Sequence, residues 1–400
     1  MNALLNILGI VLILGCLYLF SYDRSQIKFC QVGRCLILHF CLAIVWLKIP
    51  AGVWLVTKLG DGITIIINYA KEGLRFVFGS LSLPTGASGF VFIVQVLGTI
   101  IFVGSLVSIL AYLGILSWVI AKLGRVVGKL TGCSQLEGFI STANVFLSDT
   151  ESPLLMSRYL KFMTESEIMV MLISGMGSMS VSILGGYIAM GIPAKHLVIA
   201  AALVPLTSIA ISKILLPETD TPKIVENIDF SGEKQASNLI EALANGAMDG
   251  MNMVIAIAAS LVAIISVVAM INGALGLINL KLEEILSWIF YPIAYCMGLE
   301  QEYTQLAGQL LGCKVILTEF ISFATLGPMI NQLSPRTGLM LSVAVSGFAN
   351  ISSMAICVSG IAALCPEMKP TLAKYVWKGM WGGFALSTIN ALTIGLIMSF

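Results

Sequence analysis

A chain of 400 residues that is 58% hydrophobic and only 11% charged is not an ordinary soluble domain, in which about a quarter of residues are charged and under half are apolar. The net charge of +1 comes with no basic face or aromatic-interleaved Lys/Arg cluster, which leaves no basis for a nucleic-acid partner. Nine cysteines without a CxxC pair and two histidines, His39 and His196, do not make a metal set, so the cysteines read as small buried hydrophobes.

A membrane span needs about 20 mostly apolar residues. Eight segments qualify or nearly so: 1–21, 35–54, 90–120, 168–191, 196–212, 250–280, 338–365 and 379–400. Segment 1–21 lacks a basic n-region and a small-x-small cleavage site before Asp23 and Arg24, so it is expected to remain as the first helix. Residues 55–80 mix Lys58, Asp61, Lys71, Glu72 and Arg75 with Ile63, Ile65, Ile66, Phe76 and Phe78, which suits an amphipathic helix lying along the interface. Two further regions, 133–165 and 299–332, are apolar enough to enter the membrane yet carry Asp149, Glu151 and Arg158, or Lys314 and Glu319. They are expected to be re-entrant hairpins, because non-helical backbone at membrane depth is tolerated only where protein or a water-filled cavity covers it.

Basic residues cluster after span 1 (Arg24, Lys28, Arg34), after span 3 (Lys122, Arg125, Lys129) and between spans 7 and 8 (Lys369, Lys374, Lys378). With eight spans these all face one side, the cytoplasm by the positive-inside rule. Both termini then lie outside. The resulting division is 1–130 (N-terminal helices, interfacial helix, scaffold), 131–215 (hairpin 1 and first repeat), 216–298 (cytoplasmic loop and scaffold helix), 299–366 (hairpin 2 and second repeat) and 367–400 (C-terminal helix).

The two hairpins echo each other. Thr150-Glu151 is followed by Ser174-Gly175-Met176-Gly177-Ser178-Met179, and Thr318-Glu319 by Ser346-Gly347-Phe348-Ala349-Asn350-Ile351. Repeats that enclose a site near the midplane are a common transporter plan. A carboxylate inside a span costs at least about 2.5–3.5 kcal/mol on insertion scales, so Glu151 and Glu319 are expected to line an aqueous cavity. The alternative is that each pins its hairpin by pairing with Arg158 or Lys314. The small and hydroxyl residues around 174–182 and 346–353 also suit close helix packing, although Asn350 has an amide to satisfy.

In these motifs the chain resembles the concentrative nucleoside transporter family. Ala143-Asn144-Val145-Phe146-Leu147-Ser148-Asp149-Thr150-Glu151-Ser152-Pro153-Leu154 looks like the family's Ala-Asn-x-x-x-Gly-Gln-Thr-Glu-Ala-Pro-Leu. Thr318-Glu319-Phe320 looks like its Asn-Glu-Phe, and Gly347-Phe348-Ala349-Asn350-Ile351-Ser352-Ser353 like its Gly-Phe-Ala-Asn-x-Ser-Ser. Phe76-Val77-Phe78-Gly79 is similar to a further signature, and the resemblance runs over nearly the whole chain.

The resemblance implies an all-α homotrimer in the bacterial inner membrane. Each protomer would have eight transmembrane helices, two re-entrant hairpins and interfacial helices in an inverted repeat, and would move nucleosides by an elevator motion. It implies that Asp149, Thr150 and Glu151 face the base, that Glu319, Asn350 and Ser353 hold the ribose hydroxyls, and that Phe348 and Ile183 line the pocket. It also implies a Na+ site from the side chains of Asn144 and Ser178 with the carbonyls of Leu147 and Met179. Relatives lacking the Asn tend to use protons, so Na+ is the expected coupling ion here. The alternative is a proton-coupled carrier of pyrimidine or broad specificity.

Asp149 stands where the family has Gln, Ser148 where it has Gly, and Thr318 where it has Asn. An ionised Asp only accepts hydrogen bonds, whereas Gln also donates, which points to a preference for guanosine and inosine. A carboxylate carrier is disfavoured because the tips present Asp149, Glu151 and Glu319 with no Arg beside them. An intramembrane enzyme is disfavoured because no nucleophile or metal set accompanies the acids.

Overall fold

The computed structural model describes residues 2–83, 89–147, 149, 151–220 and 236–400, and every regular element among them is helical. α1 (Asn2–Leu19) and α2 (Phe29–Lys48) are apolar throughout. α3 (Pro50–Phe78) starts on Pro50, whose missing N–H is harmless at a first helical position, so Ile49 makes a corner between α2 and α3. The charged 55–80 segment is thus part of one 29-residue helix.

α4 (Thr99–Tyr112) ends earlier than the 90–120 span expected. Gly114, at φ 73°, turns the chain into α5 (Ile115–Thr131). Leu116, Ile120, Gly124 and Gly128 are buried on one stripe of α5, the pattern of a half-immersed helix. α6 (Gln135–Phe146) opens with a capping box between Ser134 and Glu137, and α7 (Glu151–Leu154) returns from its tip. The 12 residues of α6 reach about 18 Å, too short for a bilayer core of about 30 Å, which is what a re-entrant hairpin requires.

α8 (Glu165–Gly177) and α9 (Val181–Ala189) follow, then α10 (Ala194–Leu215), the long α11 (Leu239–Leu275) and α12 (Leu282–Cys296). The second hairpin is α13 (Gln301–Ile316) with α14 (Glu319–Leu326). Behind it come α15 (Pro335–Val345), α16 (Ile351–Leu364) and α17 (Lys369–Ile397).

Two expected spans are therefore broken. The 168–191 span is interrupted at Ser178–Ser180, and the 338–365 span is two helices separated by 346–350, neither long enough alone. Eight helical stretches among the described residues are long and apolar enough to cross a membrane; Pro50–Ser82 is one of them, and the broken 335–364 crossing is not. The sequence disguised the breaks because no proline marks either of them.

α8, α10 and α17 form the buried centre, with α6 and α15 against them, while α1, α2, α3 and α11 expose most of their surface. α11 lies along α4 through small residues: a Cβ on Gly246 would come 2.6 Å from the Gly104 carbonyl, the close approach typical of helix pairs in membranes.

Each hairpin is tied down at its base. Around hairpin 1, Lys213 pairs with Glu137 and donates to Ser166 Oγ at 2.9 Å, while Ser134 donates to Glu167 at 2.7 Å. Around hairpin 2, Glu300 accepts from Ser334 at 2.7 Å and from Thr337. Beside it, Arg336 donates to the Gly298 carbonyl and to Asn6 Oδ1, both at 2.8 Å. The tips are thus held from rigid bases.

The broken crossings meet where Phe348 N–H donates to the Ser178 carbonyl at 3.1 Å. Gly347 there has φ 90°, and a Cβ on it would sit 2.6 Å from the Gly177 carbonyl oxygen. Both the conformation and the space demand glycine. Gly347→Ala is expected to cost upwards of about 2 kcal/mol, seen as a lower melting temperature of the purified protein. An unchanged melting temperature would contradict this packing.

Candidate functional site

Four chain interruptions converge: the tips of both hairpins and the breaks in both crossing helices. Each leaves unpaired backbone groups that a continuous helix would have satisfied internally, so polar ligands can be met here at depth.

Glu319 is the first residue of α14 and is buried. Its Oε1 accepts from Tyr187 Oη and its Oε2 from Asn350 Nδ2, both at 3.1 Å. Asn350 caps α16, its Oδ1 accepting from Ser353 N–H at 2.8 Å and from Ser353 Oγ at 3.0 Å. Glu319, Asn350 and Ser353 are therefore one chain of hydrogen bonds.

The fear that Glu319 merely pairs with Lys314 is met by the geometry. Lys314 Nζ is turned instead to the Ala344 carbonyl at 3.0 Å, to the Ser346 carbonyl and to Ser387 Oγ at 2.6 Å.

Tyr187 was not singled out from sequence. It lies four residues after Ile183, one turn along the same face of α9, and its ring packs on Phe320 and Phe323 at centroid distances of 5.1 and 4.4 Å. The only signal was a hydroxyl-bearing aromatic in an otherwise apolar span. Ile183 itself is buried on that face, and Phe348 is buried in the second break.

At hairpin 1, Asp149 is buried against Gly175 of α8, where a Cβ would approach Asp149 Cβ to 3.1 Å. Glu151, half-buried at the start of α7, lines a cavity of about 450 Å³ together with Leu147, Leu154 and Ser182. The opposite wall is made by α4 and α11, including Ser108, Asp249 and Asn252. Sequence reading passed over Asp249 and Asn252, which gave no signal beyond polarity in a long apolar helix. Thr150 and Ser148 lie outside the described residues.

Two hydroxyls at the junction, Ser180 Oγ and Thr318 Oγ1, are buried with no hydrogen-bond partner among the described residues.

Of the residues implied for Na+, Asn144 and Leu147 lie at the end of α6, and Ser178 and the buried Met179 in the break after α8. Leu147 and Ser178 are the C-terminal caps of α6 and α8, so two negative helix ends meet. Asn144 Nδ2 donates to Ser174 Oγ at 2.7 Å, which ties α6 to α8. Asn144 Oδ1 accepts from Ser152 Oγ and, as a carbonyl, keeps a second lone pair. Ser178 Oγ donates to the Gly175 carbonyl at 3.3 Å, leaving its own oxygen to accept. Neutral oxygens at two helix ends fit a hard monovalent cation.

Broken helices paired with re-entrant hairpins around a buried polar junction define a secondary transporter. Three family models together match most of the chain: the Na+ dependent nucleoside transporter N-terminus over residues 8–81, the nucleoside recognition Gate model over 93–194, and the Na+ dependent nucleoside transporter C-terminus over 196–395.

The nucleoside permease NupC of Helicobacter pylori is 33% identical over 99% of both chains. Sodium/nucleoside cotransporter 1 of Mus musculus is 31% identical over 98% of this chain and 64% of its own. A solved structure of CNTnw in an inward-facing substrate-bound state superposes with a TM-score of 0.94 at 31% identity, covering 100% of this chain and 98% of the other. A double variant of CNTnw in an outward-facing state superposes at 0.95, with 30% identity and the same coverage.

The chain belongs to the Na+ dependent nucleoside transporter family: it is a multi-pass membrane protein that transports nucleosides, with Na+ as the family's coupling ion, and not an enzyme.

Proposed function

We propose that this chain is a Na+ symporter that imports nucleosides across the bacterial inner membrane, with guanosine and inosine preferred over uridine. The observation that carries the reading is the buried Glu319 held by Tyr187 and Asn350. A fixed carboxylate is a strong acceptor for the two vicinal hydroxyls of a ribose, with Asn350 and Ser353 as adjustable partners. Asn144, Leu147, Ser178 and Met179 are assigned to Na+, and Asp149, Thr150, Glu151, Ile183 and Phe348 to the base end of the site.

The likeness to both inward- and outward-facing relatives supports an elevator motion, in which the hairpins and broken crossings slide past a scaffold built on α4 and α11. The cavity between α7 and that scaffold, lined from both sides, is where such a motion would open a route. The exposed apolar surface of α11, with Ile255, Val262 and Met270 all outward, suits contact with lipid or with neighbouring protomers of a homotrimer. Both termini are assigned to the outer side on the basic clusters.

Selectivity follows from Asp149. A carboxylate in a dry pocket favours adjacent donors such as N1–H and the amino group of guanine, and an acceptor facing it is penalised by about 1–3 kcal/mol, or roughly ten- to a hundredfold. Unlabelled guanosine and inosine are expected to compete with radiolabelled guanosine uptake at least tenfold better than uridine does. Asp149→Gln should narrow that gap. Equal competition by uridine in the wild type, or an unchanged ranking in D149Q, would leave the broad-specificity reading in place.

A further inference from the structure

Helix ends align the two halves of the chain more closely than the motifs do. The returning limbs begin at Glu151 and Glu319, and the crossing helices are capped by Ser178 and Ser346, a separation of 27 residues in both halves (151 to 178, 319 to 346). The entering limbs are capped by Leu147 and Leu317. Ser346 therefore corresponds to Ser178 rather than to Ser174, and Leu317 to Leu147.

Counting back three residues from each of those leucines reaches Asn144 in the first half and Lys314 in the second. Both side chains cross to the crossing helix of their own half: Asn144 to the Met171 carbonyl and Ser174 Oγ within α8, Lys314 to the Ala344 and Ser346 carbonyls at the end of α15. In the first half that side chain is one of the ligands assigned to Na+. In the second, an amine stands at the corresponding place.

Lys314 is completely buried. An ammonium has three donors and no acceptor, and all three are used, on the Ala344 and Ser346 carbonyls and on Ser387 Oγ. Three oxygens around one nitrogen match the three N–H donors of an ammonium. The C-terminal end of α15 favours that charge, as the end of α8 favours Na+. A bare charge at this depth without such a reason would be an unexplained cost.

We propose that the Lys314 ammonium is a tethered cation that takes, in the second repeat, the place Na+ takes in the first, so that the chain couples a single Na+ to each nucleoside. The inference rests on the Na+ site assigned to Asn144, Leu147, Ser178 and Met179. Lys314→Asn gives the second half the side chain of the first and vacates the charge, which turns the position into a second Na+ site. Lys314→Met keeps the length and offers no ligand.

The test uses the full-length protein in proteoliposomes, with uptake of labelled guanosine and uridine measured against Na+ concentration and with parallel uptake of radioactive Na+. Wild type is expected to give a Hill slope and a Na+-to-nucleoside ratio of about one, and K314N to bring both toward about two with a higher Na+ requirement. K314M should transport weakly at any Na+ concentration. A wild-type ratio of about two, or a K314N protein that transports with the wild-type Na+ curve, overturns the proposal.

Should K314N fail to transport, melting of the purified proteins decides: Na+ must raise the melting temperature of K314N more than that of wild type or K314M. An equal response overturns the proposal. Asn144→Ala separates the two readings. If N144A keeps the wild-type Na+ curve, the first-repeat site itself is wrong; if N144A loses Na+ activation while K314N is unchanged, only the role of Lys314 fails.

Discussion

Glu319→Gln is expected to abolish measurable uptake of every nucleoside while leaving expression and membrane insertion intact. In the wild type one carboxylate oxygen accepts from Tyr187 and the other from Asn350, and each oxygen retains capacity for a ribose hydroxyl. An amide replaces one acceptor with a donor. Turned toward Asn350, that donor meets another N–H; turned toward Tyr187, it reverses the phenol and leaves a single weaker acceptor for the sugar. Hydrogen bonds to a charged group are worth about 1.5–3 kcal/mol each, so losing two lowers binding by roughly a hundredfold or more. Tyr187→Phe removes only a positioning contact and should cost several-fold, about 1 kcal/mol. Uptake by E319Q within tenfold of wild type would remove Glu319 from the site.

The second large effect is expected at the cation. Asn144→Ala should remove Na+ stimulation of uptake and the Na+-induced rise in melting temperature together, because the proposed ligand and the α6–α8 tie are one side chain. A cation present at a hundredfold over its dissociation constant stabilises the folded state by about 2.7 kcal/mol, a shift readily seen by thermal melting. Ser174→Ala, which removes the partner of the Asn144 amide but none of the assigned ligands, should weaken Na+ activation without eliminating it. The rival coupling is tested in the same vesicles: full uptake driven by a pH gradient without Na+ would overturn the Na+ assignment and favour a proton-coupled carrier.

The class of environment, the two hairpins and the acids at their tips are legible in the sequence. Composition alone makes the bilayer the solvent, and a costly acid at the corresponding point of each half marks both tips without any coordinates. Asn350 stands out as an amide to satisfy in an apolar run, and Ser353 is implied by the resemblance of 347–353 to the family motif.

Where the helices stop is set by packing between distant segments. The break at Ser178–Ser180 and the one at 346–350 contain no proline to announce them, and the two crossings meet there where Phe348 N–H reaches the Ser178 carbonyl. That contact couples residues far apart in the chain, so no local pattern encodes it. The same holds for Tyr187, a tyrosine whose meaning comes from the glutamate it faces across α14. It holds equally for Lys314, which resembles a partner for Glu319 five residues on until the folded chain turns its ammonium to the end of α15. Charge and period are written along the chain, whereas which buried group satisfies which other is settled only when separate helices pack.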